Sequence, residues 1–180
     1  LRADDVVFVD RLNHASIIDG CRMAGCRMRI FRHNDPEHLD RIMGTTACKG
    51  ARLVVVDGVF SMDGDLAPLP DLLRVARKHG ARFMVDEAHG TGVVGPTGRG
   101  ASEHFGIHNE VDLLVGTFSK TLGATGGFVA GPRDVVEYIV HYGHAYMFTA
   151  SPVPAAIAAV RCALGIITRD GVHLTADGQQ

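Results

Sequence analysis

The chain has 180 residues, 46% apolar and 21% charged, which is room for one domain with a sizeable core or for part of something larger. That balance excludes a disordered, collagen-like or low-complexity chain. Lys and Arg total 18 against 20 Asp and Glu, so the formal charge is −2 and no basic excess points to nucleic acid or an anionic membrane surface.

In chain order, the first predicted element is a strand over Val6–Val9. No signal peptide and no Met precede it, and the chain reads as a fragment of a longer protein. Further strands are predicted at Arg27–Phe31, Leu53–Val56, Arg82–Val85, Val111–Val115 and Gly127–Ala130. They are short, rich in Val, Ile and Phe, and mostly bounded by Asp or Gly, as strands buried on both faces of a parallel sheet are. Helical patterns lie between them. Asp35-Pro-Glu37 opens one, with an N-cap residue and Pro at the first helical position. Asp71 to His79 is a second, with Leu72, Leu73, Val75 and Ala76 on its apolar face and Gly80 as its stop. Pro132 to His141 and Pro152 to Ile167 follow. The alternation predicts an α/β fold: a three-layer α/β/α arrangement around a mostly parallel sheet.

Ala88 to Gly106 breaks the alternation with six glycines, one proline and little period. A long irregular loop just after the strand ending at Asp86 is expected to be functional, because ligands of open α/β sheets bind beyond the carboxyl ends of strands. The weakly charged run Val153 to Ile167 contains Pro154 and Arg161 and falls short of the roughly 20 apolar residues a membrane span needs. Cysteines 21, 26, 48 and 162 form no Cys-x-x-Cys pair, so reduced thiols in a cytoplasmic protein are expected.

Three segments at or near strand ends hold candidate chemistry: Asp57-Gly-Val-Phe-Ser-Met-Asp63, Val85-Asp-Glu-Ala-His-Gly90 and Gly116-Thr-Phe-Ser-Lys-Thr121. Lys120 stands among hydroxyls and glycines just after an apolar strand, where a lysine can form a Schiff base. Asp86-Glu-Ala-His89 has the letters of a DEAH-box helicase, but that ATPase needs Gly-x-x-x-x-Gly-Lys-Ser/Thr and the chain has no Gly-Lys dipeptide. His141-x-x-His144 and the Cys21/Cys26 pair satisfy no zinc-ligand spacing, so no metal site is expected.

Taken together, seven stretches resemble the α-oxoamine synthase family, pyridoxal-phosphate enzymes of aminotransferase fold type I. They are Leu12-Asn-His-Ala-Ser-Ile-Ile-Asp-Gly20, Phe31-Arg-His-Asn-Asp35, Gly58-Val-Phe-Ser-Met-Asp-Gly-Asp65, Val85-Asp-Glu-Ala-His-Gly90, Gly98-Arg-Gly100, Gly116-Thr-Phe-Ser-Lys120 and Phe148-Thr-Ala-Ser151. The resemblance implies a decarboxylative condensation of a small amino acid (Gly, Ala or Ser) with an acyl thioester, on acyl-CoA or an acyl carrier protein, giving an α-amino ketone. Local stretches are similar to 8-amino-7-oxononanoate synthases, others to serine palmitoyltransferases or 5-aminolevulinate synthases; His141-Tyr-Gly-His-Ala145 departs from all three.

The family pattern gives each residue an implied role. Lys120 would be the Schiff-base lysine and Asp86 the partner of the pyridine nitrogen, keeping it protonated. His89 would bond the ring's phenolic oxygen, with Ser61 nearby. His14 would stack on the ring, or simply cap a helix. Thr117 would hold the phosphate, and Thr149 the phosphate of a neighbouring subunit, which implies a homodimer with a shared site. Residues 1–150 would be the middle of the cofactor-binding large domain, and 151–180 a helix leading to a small domain. Glu87 has no assigned role, and the Gly95–Gly100 turn reads as an acyl or partner contact or as a plain surface turn. Alternatives are another fold type I enzyme, an aminotransferase or lyase, or a non-catalytic subunit of such an enzyme.

Overall fold

The computed structural model describes residues 1–170; the last ten residues of the expected C-terminal segment lie outside them. The chain runs β1 (Val6–Asp10), α1 (Ala15–Ala24), β2 (Arg27–Phe31), α2 (Pro36–Thr45), β3 (Arg52–Asp57), α3 (Leu69–Lys78), β4 (Arg82–Asp86), α4 (Ala101–His104), β5 (Leu113–Thr117), β6 (Gly127–Ala130), α5 (Arg133–Tyr142), α6 (His144–Met147) and α7 (Pro154–Asp170). The six strands form one sheet in the order β2-β1-β3-β4-β5-β6, parallel except for β6, which runs antiparallel to β5.

Residue alternation builds both cores, since successive side chains of a strand point to opposite faces. Val6 and Phe8 of β1, Val54 and Val56 of β3, and Phe83 and Val85 of β4 pack with Leu39 and Met43 of α2 and Leu69, Leu72 and Ala76 of α3. Val7, Val9 and Val55 point the other way and pack with Cys21 and Ile17 of α1. Helices thus cover both faces, giving the expected three layers. The predicted apolar face of α3 is buried in full, and Gly80 follows the helix with φ +64°. Asp35 caps α2 by accepting from the His38 N–H at 2.8 Å.

Several elements differ from the sequence reading, by up to two residues at the ends of β1, α3 and α5, and three differences have a physical reason. The helix α1 was not predicted as an element; its moderate amphipathicity is interrupted by Gly20, and only the fold's need to cover the second sheet face secures it. β5 begins at Leu113 rather than Val111. Asp112 is drawn out of the ladder because its carboxylate accepts from the Phe83 N–H and from Arg77 and Arg82. α7 begins at Pro154 rather than Pro152, because a residue preceding proline is driven out of the helical region and Val153 stands there.

The glycine-rich loop is more ordered than its composition implies. It contains the single turn α4, and its organiser is Glu87, which is 1% exposed. The Glu87 carboxylate accepts from the N–H groups of Ala101 (2.9 Å) and Ser102 (2.8 Å), folding the far end of the loop back onto the strand end. Burial pushes its carboxyl up, and these N–H groups oppose that. Gly90 and Gly100 pack directly against it; a Cβ at either would run into the carboxylate, and Gly100 has φ +101°. The Gly95–Gly100 turn is itself tied down by Glu103, which accepts from the N–H groups of Thr97 and Arg99, both at 3.0 Å.

Among the described residues no helix is long and apolar enough to cross a membrane. The four cysteines are free, and burial pushes the Cys21 thiol up to about 11, which leaves it unreactive.

Candidate active site

Beyond the carboxyl ends of the central strands lies a cavity of about 340 Å³. Its lining includes His14, Asp57, Asp86, His89, Thr117 and Lys120. Five of the seven residues expected from the sequence therefore meet in one place, though they come from three separate stretches of chain. The sheet explains this. β1, β3, β4 and β5 are parallel, so everything that follows a strand emerges on the same side.

Asp86 is the last residue of β4 and sits directly opposite Val115 of β5. Its Oδ1 accepts from the Ala88 N–H at 2.9 Å, which anchors the carboxylate at the strand end. His89 follows in the turn that Glu87 begins, where the Gly90 N–H donates to the Glu87 carbonyl. Burial, and then the Lys120 charge, hold the His89 pKa below the ordinary histidine value, so it is neutral at neutral pH. Lys120 lies in the turn after β5, closed by the Gly123 N–H donating to the Lys120 carbonyl at 3.0 Å. Thr117 and Ser119 share a hydroxyl–hydroxyl bond of 2.8 Å, and both line the cavity.

Of the two readings that the sequence left open for His14, the helix cap is observed. His14 is the N-cap of α1, its Nδ1 accepting from the Ser16 N–H at 3.3 Å and lying 2.8 Å from Ser16 Oγ. It also lines the cavity. The segment carrying it is stitched to β3: Asn13 Nδ2 donates to the Val55 carbonyl at 2.8 Å, and Asn13 Oδ1 accepts from the Asp57 N–H at 3.1 Å.

Ser61 and Thr149 stand apart from this cavity. Ser61 is exposed in the turn after β3, and Thr149 is exposed beyond α6 with its hydroxyl donating to the Ala145 carbonyl. The turn carrying Ser61 is nevertheless tied to the site's side of the sheet. His33 Nδ1 lies 2.9 Å from the fully buried Asp10, and its Nε2 lies 2.9 Å from Asp65. Burial opposes charge on this imidazole, but the two carboxylates outweigh burial and raise its pKa.

Sequence reasoning missed Asp57, Ser16 and Ser119 as cavity residues. Asp57 is the notable one, because it stands in register with Asp86 at the end of the neighbouring strand. Two adjacent parallel strands that both end in Asp before a loop were the available signal.

The fold and this strand-end constellation define an α/β protein of the pyridoxal-phosphate fold type I class. The profile of the aminotransferase class I and II family matches residues 1–169. The chain is 48% identical over 163 residues to 8-amino-7-oxononanoate synthase of Geobacter sulfurreducens, covering 91% of this chain and 42% of that protein. It is 44% identical over 165 residues to the enzyme of that name from Thermoanaerobacter pseudethanolicus, again covering 91% and 42%. Among solved structures it is similar to a serine palmitoyltransferase of S. paucimobilis with a bound PLP–myriocin aldimine, at TM-score 0.90 and 40% identity, covering 94% of this chain and 42% of that one. The chain belongs to the aminotransferase class I and II family, and within it to the α-oxoamine synthases. It spans less than half the length of these relatives.

Proposed function

We propose that this chain carries the lysine-bearing half of a pyridoxal-phosphate site that condenses a small amino acid with an acyl thioester, with loss of carbon dioxide. The observation that carries this reading is the single cavity gathering Lys120, Asp86, His89, His14 and Thr117 at the strand ends. The donor set fits the cofactor: one primary amine, one anchored carboxylate, one neutral imidazole and a pair of hydroxyls line a space of about 340 Å³. Pyridoxal phosphate, when bound, supplies an aromatic ring that accepts an electron pair from the amino acid's α-carbon.

The chain's own residues do the rest. Asp86 would hold a proton on the ring nitrogen by a charge-assisted hydrogen bond. His89, neutral at working pH, bonds the phenolic oxygen and orients the incoming acyl carbonyl. His14 would bound one face of the ring, and Thr117 with Ser119 would offer hydroxyls to the phosphate. Lys120 would hold the cofactor covalently, and when its Nζ is free it would offer a base for the amino acid's α-proton.

The substrates in keeping with this reading are Gly, Ala or Ser, with an acyl thioester on acyl-CoA or an acyl carrier protein. A screen of Gly, Ala and Ser against acyl-CoAs of several lengths should release free CoA and carbon dioxide together for one pair. Keto-acid formation without carbon dioxide would favour an aminotransferase instead. The presence of Lys120, Asp86 and His89 together argues against a non-catalytic subunit.

Residues 1–150 belong on this reading to the large domain, with α7 leading toward a small domain. Exposed Thr149, outside its own chain's cavity, serves the site of a second copy in a homodimer. Diluting the holoprotein below its dimer dissociation constant should then release cofactor in step with monomer formation. A monomer that retains all its cofactor would contradict the shared site. Free thiols accord with a cytoplasmic protein; recovery in an oxidising compartment would contradict that.

A further inference from the structure

Asp57 is 4% exposed yet lines the cavity, at the end of β3 and in register with Asp86 at the end of β4. Its carboxylate is poorly supplied with donors. Among the described residues it receives one N–H, that of His14, shared between its oxygens at 3.2 and 3.4 Å. Asp10, also buried, accepts by contrast from the N–H groups of Leu12 and Asn34 and from His33. A buried acid kept with one long, shared hydrogen bond is a poor structural device, because desolvation of its charge is left largely uncompensated. An amide would hold the His14 N–H as well at less cost. The charge itself must therefore be in use.

We propose that Asp57 is a positioning residue of this site, fixing the backbone of His14 and acting with Asp86 as a carboxylate pair that sets the field around Lys120. The inference rests on the cavity being a pyridoxal-phosphate site. Every side that faces Asp57 carries a relevant group: Asp86 from β4, Asp10 from β1, the His14 N–H from the segment before α1, and Lys120 from the turn after β5. Burial first, then the Asp86 charge, push the Asp57 carboxyl up to about 7, against the pull of the His14 N–H and Lys120. Asp57 is therefore protonated below about pH 7 and charged above it. Burial, and then the Lys120 charge, hold the His89 pKa below the ordinary histidine value, and the Asp57 variants separate its contribution from that of Asp57.

The test reads the absorption spectrum of bound pyridoxal phosphate against pH, without substrate, in the wild-type holoprotein and in Asp57→Asn and Asp57→Glu. Borohydride mapping of each confirms attachment at Lys120. The wild type should show a spectral step near pH 7. Asp57→Asn should lose it while still loading cofactor, and Asp57→Glu should retain a step at a displaced pH. A step that survives unchanged in Asp57→Asn, or stands at the wild-type pH in Asp57→Glu, overturns this inference alone. Failure of the wild type to hold cofactor on Lys120 overturns it together with the functional reading beneath it.

Discussion

Lys120→Ala should lower turnover by on the order of 10⁴-fold or more, because one change removes both the covalent anchor and the base at the α-carbon. Lys120 is the one primary amine in the cavity lining. Lys78 is engaged elsewhere, 2.6 Å from Asp40, and Lys49 sits in the loop before β3. Neither can substitute. The fold should tolerate the change well. Lys120 is exposed, and the turn that carries it is closed through its backbone carbonyl, which Ala also has. Thermal melting of the apoprotein should therefore match the wild type within a few degrees. A small added amine should restore part of the turnover, since it replaces the base but not the anchor. Single-turnover kinetics across an amine series would measure this. Retention of a tenth of wild-type activity without added amine would remove Lys120 from its role.

Asp86→Asn should lower turnover by about 10²- to 10⁴-fold while leaving cofactor bound. The carboxylate favours a protonated ring nitrogen by direct Coulomb attraction and a charge-assisted hydrogen bond. An amide of the same size donates to the unprotonated nitrogen instead and stabilises the wrong state. The bond from the Ala88 N–H survives on the amide oxygen, so the strand end keeps its shape. The loss should appear in kcat more than in KM, because the change acts on the transition state. His89→Asn should be milder on ring electronics, since His89 is placed at the phenolic side. Normal kcat in Asp86→Asn with cofactor bound would reduce Asp86 to a strand-end cap.

The strands of this fold are legible because burial on both faces leaves unbroken apolar runs such as Val6-Val-Phe-Val9. α1 is not, because Cys21 is its one buried side chain and Gly20 interrupts its pattern. Lys120, Asp86 and His89 are legible because strand-end placement and motif spacing coincide on them. Asp57 is not: an Asp before Gly at a strand end looks like an ordinary turn residue until the register sets it beside Asp86. Glu87 is a similar case, since its partners Ala101 and Ser102 are far along the chain. Ser61 and Thr149 lie outside the cavity, and no local pattern distinguishes a site residue from a plain turn residue at these two positions.

Borohydride reduction of the holoprotein followed by peptide mapping tests the central claim most directly. Reduction converts the bond between cofactor and lysine to a stable secondary amine and marks the residue permanently. The cofactor should be found on the peptide containing Gly116-Thr-Phe-Ser-Lys120, in close to one equivalent per chain. Cofactor on Lys49 or Lys78, or none attached at all, would contradict the assignment of this cavity.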